Sequence, residues 1–95
     1  MARPDPDVSV REKPDGSFHV EVRVGATTTS HEVTVPKGYA AAIGCGHVAG
    51  TDLVAASFAF LLEREPPTSI LARFGLPQIA DYFPEYTGAI GGYVG

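Results

Sequence analysis

The chain has 95 residues, a length that fits one domain, since folded units usually contain about 100–150 residues. Seven Lys and Arg against 11 Asp and Glu give a formal charge of −4, which disfavours nucleic-acid binding because much of that affinity comes from phosphate neutralisation. Hydrophobic residues make up 44% of the chain, enough for a core, yet no stretch approaches the roughly 18 consecutive apolar residues of a membrane-spanning helix.

The cysteine count and the N-terminal sequence bear on where the protein acts. Cys45 is the single cysteine, so no intramolecular disulfide can form, which suits a reducing compartment. The first ten residues, "MARPDPDVSV", lack the apolar stretch of a signal peptide. We therefore expect a cytoplasmic protein of bacterial type, with a flexible arm over residues 1–7 and no membrane contact.

The first third of the chain has the alternation of β-strands. "VSVRE" is followed by the turn sequence "KPDGS" and by the alternating run "FHVEVRV". This run places four apolar side chains on one face: Phe18, Val20, Val22 and Val24. Gly25-Ala26 offers a second turn, and β-branched residues dominate 27–35. The pattern predicts a three-stranded antiparallel β-meander.

Pro36 ends the third strand and precedes a short helical stretch, "KGYAAAIG", and a glycine-rich loop, "GCGHVAGT". With Thr51 as its N-cap, the main helix is predicted over about 52–65. Apolar residues and alanines leave this helix almost no solvated face, so we expect either that it is packed between the sheet and the later helices or that its alanine face contacts a second copy, as in a homodimer. The candidate interface residues on this helix are Val54, Ala55, Phe58, Ala59 and Leu62.

The stretch "FLLEREPPTSIL" marks a sharp change of direction. Pro66 and Pro67 stop the main helix, and Thr68 or Ser69 can cap another one. The pattern predicts a helix-to-helix corner, with a short helix containing "ILARF" that ends at Gly75. "PQIADYF" predicts a second short helix, and the glycine-rich residues 88–95 predict a flexible tail. The fold class is thus α+β, with one domain over residues 8–87.

Two groups of residues could carry chemistry or binding. Cys45 and His47 could bind a metal or form a nucleophile and base, but neither a second ligand pair nor an orienting third group is visible. We therefore expect no catalytic, cofactor-binding or metal-binding residues and no enzymatic activity. The aromatic run "DYFPEY" either closes the core or grips a partner through Tyr82 and Tyr86, and one exposed tyrosine is expected.

Residues 30–65 resemble the ribbon-helix-helix family in the strand and proline of "HEVTVPKGYAAAIG" and the helix of "DLVAASFAFLLERE". The meander placed before them is similar to that of HicB-like antitoxins. The resemblance implies that two chains interlock and that their paired strands enter the major groove of DNA. The residues facing DNA would then be Ser30, Glu32 and Thr34.

A second resemblance covers about a third of the chain, "SFAFLLEREPPTSILARFGLPQIADYFPEY". This segment is similar to a group of small uncharacterised bacterial proteins that share the Leu-Leu-Glu-Arg-Glu-Pro run and the Tyr-Phe-Pro-Glu-Tyr ending. The similarity implies a shared fold and no particular activity. From the sequence we therefore expect a small non-enzymatic protein-interaction module, homodimeric through the main helix; the alternative is a ribbon-helix-helix or HicB-like DNA-binding regulator or antitoxin.

Overall fold

The computed structural model describes residues 6–94, which form an α+β domain with a mixed sheet and several helices. The strands are β1 (Asp7–Glu12), β2 (Phe18–Val24), β3 (Thr27–Thr34) and β4 (Arg73–Gly75). The helices are α1 (Tyr39–Ala42), α2 (Gly50–Leu62), α3 (Pro77–Tyr82) and α4 (Tyr86–Ala89), with short 3₁₀ turns at Pro67–Ser69 and Ile90–Gly92. No helix within residues 6–94 is long and apolar enough to cross a membrane.

The sheet has the strand order β1-β2-β3-β4. Its first three strands are antiparallel, which confirms the predicted meander. Gly25 begins the two-residue turn between β2 and β3 with φ 60°, a left-handed conformation that glycine adopts without steric cost. β4 pairs with β3 in parallel, an arrangement that requires a long crossover connection. Here that connection contains α1 and α2.

One face of the sheet is apolar and packs against α2, and the other face is open and polar. Val20, Val22 and Val33 on the inner face are fully buried, as are Leu53 and Phe58 on α2. The alternation of the strands explains the arrangement, because successive side chains point to opposite faces. The core therefore lies between the sheet and α2, and the C-terminal segment completes it.

The main helix differs from its predicted bounds at both ends. It begins at Gly50 after an extended Ala49, without a side-chain cap from Thr51. It ends at Leu62 rather than at residue 65, and the N–H groups of Arg64 and Glu65 donate to the carbonyl of Leu61 in a closing turn. Pro66 accounts for this early end because it disfavours helical geometry in the residue before it.

The predicted helix-to-helix corner is wrong, because a strand follows the corner. After the 3₁₀ turn the chain is extended at Ile70, with φ −76° and ψ 134°, and β4 follows. The edge of β3 supplies the reason: its Glu32 N–H donates to Ala72 O at 2.7 Å, and its Thr34 O accepts from Leu76 N–H at 3.0 Å. Partners for these backbone groups outweigh the helical tendency of "ILARF".

The C-terminal part also departs from expectation in one respect. The second predicted short helix is present as α3. The segment expected to be a flexible tail instead continues as α4 and a 3₁₀ turn, in which Ile90 is fully buried. At the other end, Asp7 already belongs to β1, whereas residues 1–5 of the predicted arm and Gly95 of the predicted tail lie outside the described residues.

Candidate partner-binding groove

An apolar groove lies where the end of α2 meets β4 and α3. Its volume is about 310 Å³. We call it the Tyr82 groove, and its lining residues are Leu61, Glu65, Ser69, Ile70, Leu71, Phe74, Gln78, Ile79, Tyr82 and Phe83. The helix-to-strand corner creates it, because the chain turns away from α2 and returns along β3, leaving space in front of α3.

The large exposed hydrophobic side chains among residues 6–94 lie at this groove. Among residues 6–94, two large hydrophobic side chains are exposed, Leu71 at 44% and Tyr82 at 66%, and both line the groove. Single exposed apolar residues are ordinary, but a pair at the rim of an apolar concavity is typical of an interaction site. Tyr82 was a candidate from the sequence, and it is the exposed tyrosine expected there.

One carboxylate, that of Glu65, lies in the wall of the groove. Burial raises the pKa of the Glu65 carboxyl above its usual value. Within residues 6–94 no Lys, Arg or His side chain is within salt-bridge distance of it. The neighbouring Arg64 is engaged elsewhere, since its Nε donates to Glu85 Oε2 at 3.3 Å and its guanidinium lies 3.6 Å from the centre of the Phe60 ring.

Hydrogen bonds of the buried His31 side chain fix the wall of the groove at Leu71. His31 is 2% exposed, and its Nδ1 lies 2.8 Å from Leu71 O. A carbonyl can only accept, so Nδ1 carries the proton, and in the neutral ring Nε2 accepts from Thr29 Oγ1 at 2.8 Å. The ring also packs against Phe58, with centroids 5.3 Å apart. The position of Leu71 is thereby set by β3 and α2.

The opposite wall is ordered by Gln78 of α3. Its Oε1 accepts from Gly75 N–H at 2.8 Å, which ties the start of α3 to the end of β4. The groove therefore combines fixed apolar walls with one amide and one partly desolvated carboxylate. Such a composition suits the binding of an apolar group that carries a hydrogen-bond donor or a positive charge.

The structure distributes the other sequence-predicted interface residues between core and surface. Val54, Phe58 and Tyr86 are fully buried within the chain, so they are not on a surface that a partner can reach. Ala55 and Leu62 are half-buried, and Ala59 is exposed. The sheet and the C-terminal segment thus cover most of the helix face that the sequence assigns to a second copy.

The loop residues Cys45 and His47 have different environments. Cys45 is buried, and its Sγ lies 3.8 Å from the carbonyl oxygen of Ile43. His47 is exposed to solvent. Nowhere in residues 6–94 do three His, Cys, Asp or Glu side chains form a group that could hold a metal ion.

The residues that would face DNA in a ribbon-helix-helix protein lie on the open face of the sheet. Ser30 and Thr34 are exposed, and Glu32 is held by Lys13 Nζ at 2.9 Å and His19 Nδ1 at 3.0 Å. These hydrogen bonds, that of His19 foremost, keep the pKa of Glu32 below its usual value. β3 pairs with β2 on one side, and on the other side its residues Glu32, Val33 and Thr34 pair with β4, so this part of β3 has no free edge for a ribbon with a second chain.

Sequence reasoning missed most of the groove, and Glu65 and Leu71 are the informative cases. The sequence predicts Glu65 at the end of the main helix and does not show that the chain returns beside it. Leu71 was assigned to a helix. An extended chain over 70–75 would instead place Ile70 and Leu71 on opposite faces. If Ile70 is buried, Leu71 is then predicted to be exposed.

Comparison with known proteins adds no relative to this picture. No protein-family model, no curated protein and no solved structure matches the chain.

Proposed function

We propose that this chain is a non-enzymatic protein-interaction module. Its Tyr82 groove binds a segment of a partner protein that presents an apolar side chain next to a lysine or arginine. The observation that carries the proposal is made on residues 6–94: their two exposed large hydrophobic residues, Leu71 and Tyr82, line the same groove as Glu65, whose carboxylate has no cationic partner in that range.

The size and the walls of the groove support an apolar anchor. A volume of about 310 Å³ is at the small end of ligand sites, which suits one or two side chains rather than a large cofactor. Binding energy at protein interfaces is concentrated in a few aromatic or aliphatic anchors that fill such pockets. Covering Leu71 and Tyr82 would remove their apolar surface from water.

The charge of the partner follows from Glu65. Its carboxylate is already partly desolvated, and a partner would remove more of its water. A cation beside it compensates for that loss, whereas an acidic partner adds repulsion in a region of low dielectric. We therefore expect the groove to favour cationic over acidic apolar segments.

A fluorescence titration tests the proposal, because the chain contains no tryptophan. The probes are two blocked tetrapeptides, Lys-Leu-Trp-Lys and Glu-Leu-Trp-Glu, and the readout is the emission of their tryptophan. The basic probe should bind saturably and at least about tenfold more tightly than the acidic probe. Glu65→Gln should remove most of that preference, and Tyr82→Ala should weaken both probes.

The matched control is Glu21→Gln, which makes the same chemical change at an exposed position on the open sheet face. It should bind both probes as the wild type does. Equal binding of the two probes would overturn the assigned charge preference. Unchanged binding by Tyr82→Ala and Leu71→Ala variants, both confirmed as folded by circular dichroism, would overturn the groove as the binding site.

A further inference from the structure

The strand β1 leaves one side of the sheet unpaired. Among the described residues β1 pairs only with β2, and no proline interrupts Asp7–Glu12. Unpaired N–H and C=O groups along such an edge are a template for another strand. Proteins usually protect such an edge against pairing with other chains. The question for this fold is therefore what covers the edge of β1.

The hydrogen bonds of the first hairpin show which backbone groups face the open edge. Lys13 N–H donates to Ser17 O at 2.8 Å at the end of the hairpin. In an antiparallel ladder, bonded and non-bonded pairs alternate, so in the observed register Arg11 and Ser9 bond to β2. The N–H and C=O groups of Val8 and Val10 therefore point away from β2, toward the open edge.

We propose that a second copy of the chain pairs with this edge, β1 against β1, antiparallel and about a twofold axis at Ser9. In this register Val8 lies opposite Val10 of the second copy, and their outward N–H and C=O groups bond to each other. Asp7 lies opposite Arg11 of the second copy, so an opposite-charge pair forms at each end. The two sheets become one continuous sheet. This inference does not depend on the Tyr82 groove.

Neighbouring registers that keep the two faces aligned are less favourable. Pairing Val8 with itself sets Pro6, rather than a valine, opposite Val10. Pairing Val10 with itself sets Val8 opposite Glu12 on the apolar side of the sheet. Of these three registers, only the one centred on Ser9 sets both valines of each chain opposite valines of the other chain.

Apolar surface beside the edge supports the same partner. A concavity with a volume of about 990 Å³ lies beside this edge. Its lining residues include Pro6 and Val8 next to Ala59 and Leu62 of α2. Val8 and Leu62 are half-buried and Ala59 is exposed, so this side of the core is incompletely covered within one chain. A second copy placed along β1 brings its own Val10 and α2 toward this surface.

The test uses the full chain and two charge reversals, Asp7→Arg and Arg11→Asp. The wild type should show twice the chain mass by light scattering and should dissociate on dilution. Each single reversal sets like charges opposite each other at both ends, and should raise the dimer dissociation constant about tenfold or more. The double variant should recover the wild-type dissociation constant. An equimolar mixture of the two single variants should form heterodimers, because every end pair is then complementary.

Arg73→Asp serves as the matched control, since it makes the same charge change as Arg11→Asp at an exposed position of β4, at the opposite edge of the sheet from β1. It should dimerise as the wild type does. Circular dichroism of each variant verifies the fold independently of mass. A wild type that stays monomeric at the highest accessible concentration would overturn the proposal. So would a dimer that the single reversals leave unchanged, or a double variant that fails to recover.

Discussion

Tyr86 illustrates how one polar residue is accommodated in the core of this domain. Its side chain is fully buried, and its O–H donates to Ser57 Oγ at 2.7 Å. The Ser57 hydroxyl in turn donates to Leu53 O at 2.8 Å, so the three groups form a continuous chain. The aromatic run "DYFPEY" allows Tyr86 either to close the core or to bind a partner, and the hydrogen-bond chain into α2 makes it part of the core.

Burial of Tyr86 predicts a loss of stability in alkaline solution. Burial raises the pKa of Tyr86 from 10.0 to about 12. The unfolded chain therefore ionises first, and the stabilisation present below pH 10 is lost as the pH rises through about 12. The full effect corresponds to roughly 3 kcal/mol.

Urea denaturation of the wild type and of Tyr86→Phe, between about pH 8 and about pH 11, measures this effect. At the lower pH the variant should be less stable by about 1 kcal/mol, because it loses the bond to Ser57. The difference in stability should shrink or reverse with rising pH. Only the wild type contains the Tyr86 hydroxyl, whose ionisation favours the unfolded chain. Parallel curves would show that Tyr86 titrates alike in both states.

At the scale of elements, the first residue of α2 fits closely against β2. A Cβ at Gly50 would lie 2.6 Å from Cζ of Phe18, a distance that real side chains do not tolerate. Phe18 is itself in the core and 5% exposed, so its ring has little room to move. The absence of a side chain at position 50 therefore lets the helix approach the sheet.

Gly50→Ala should destabilise the domain by about 1–3 kcal/mol in chemical denaturation, as overpacked core substitutions usually do. The matched control is Gly88→Ala in α4, where a Cβ would meet nothing within 4 Å. It should be neutral or stabilise the domain by up to about 1 kcal/mol, because alanine favours helix. A Gly50→Ala variant as stable as the wild type would show that α2 can shift away from Phe18.

The elements also show what local patterns can and cannot predict. The β1–β3 meander was predictable because alternation and turn residues act within a few positions, as in "KPDGS" and Gly25. β4 was not, since its three residues pair with Glu32, Val33 and Thr34, about forty positions earlier. The Tyr82 groove depends on that pairing, so its location was hidden although Tyr82 itself was singled out.

At the scale of the whole molecule, the C-terminal segment closes the end of the core that α2 and the sheet leave open. Phe60 of α2 is surrounded by aromatic rings from this part of the chain, with centroids 5.2 Å away at Tyr86, 5.8 Å at Tyr93 and 6.1 Å at Phe83. Tyr93 also donates its hydroxyl to Glu63 Oε1 at 3.0 Å. The glycine-rich composition predicts a loose tail, because composition alone does not show that Ile90 and Tyr93 pack against the core.

Ile90 distinguishes a packed C-terminal segment from a loose tail. It is fully buried, so Ile90→Ala should lower the free energy of unfolding by about 2–4 kcal/mol through lost burial and a residual cavity. Thr87→Ala, at an exposed position of α4, should change it by less than about 0.5 kcal/mol. Amide exchange should also quicken around Phe60 in the Ile90 variant, because α2 loses its cover. Equal stability of the two variants would mean that the core is complete without this segment, and that the aromatic contacts around Phe60 contribute little to the fold.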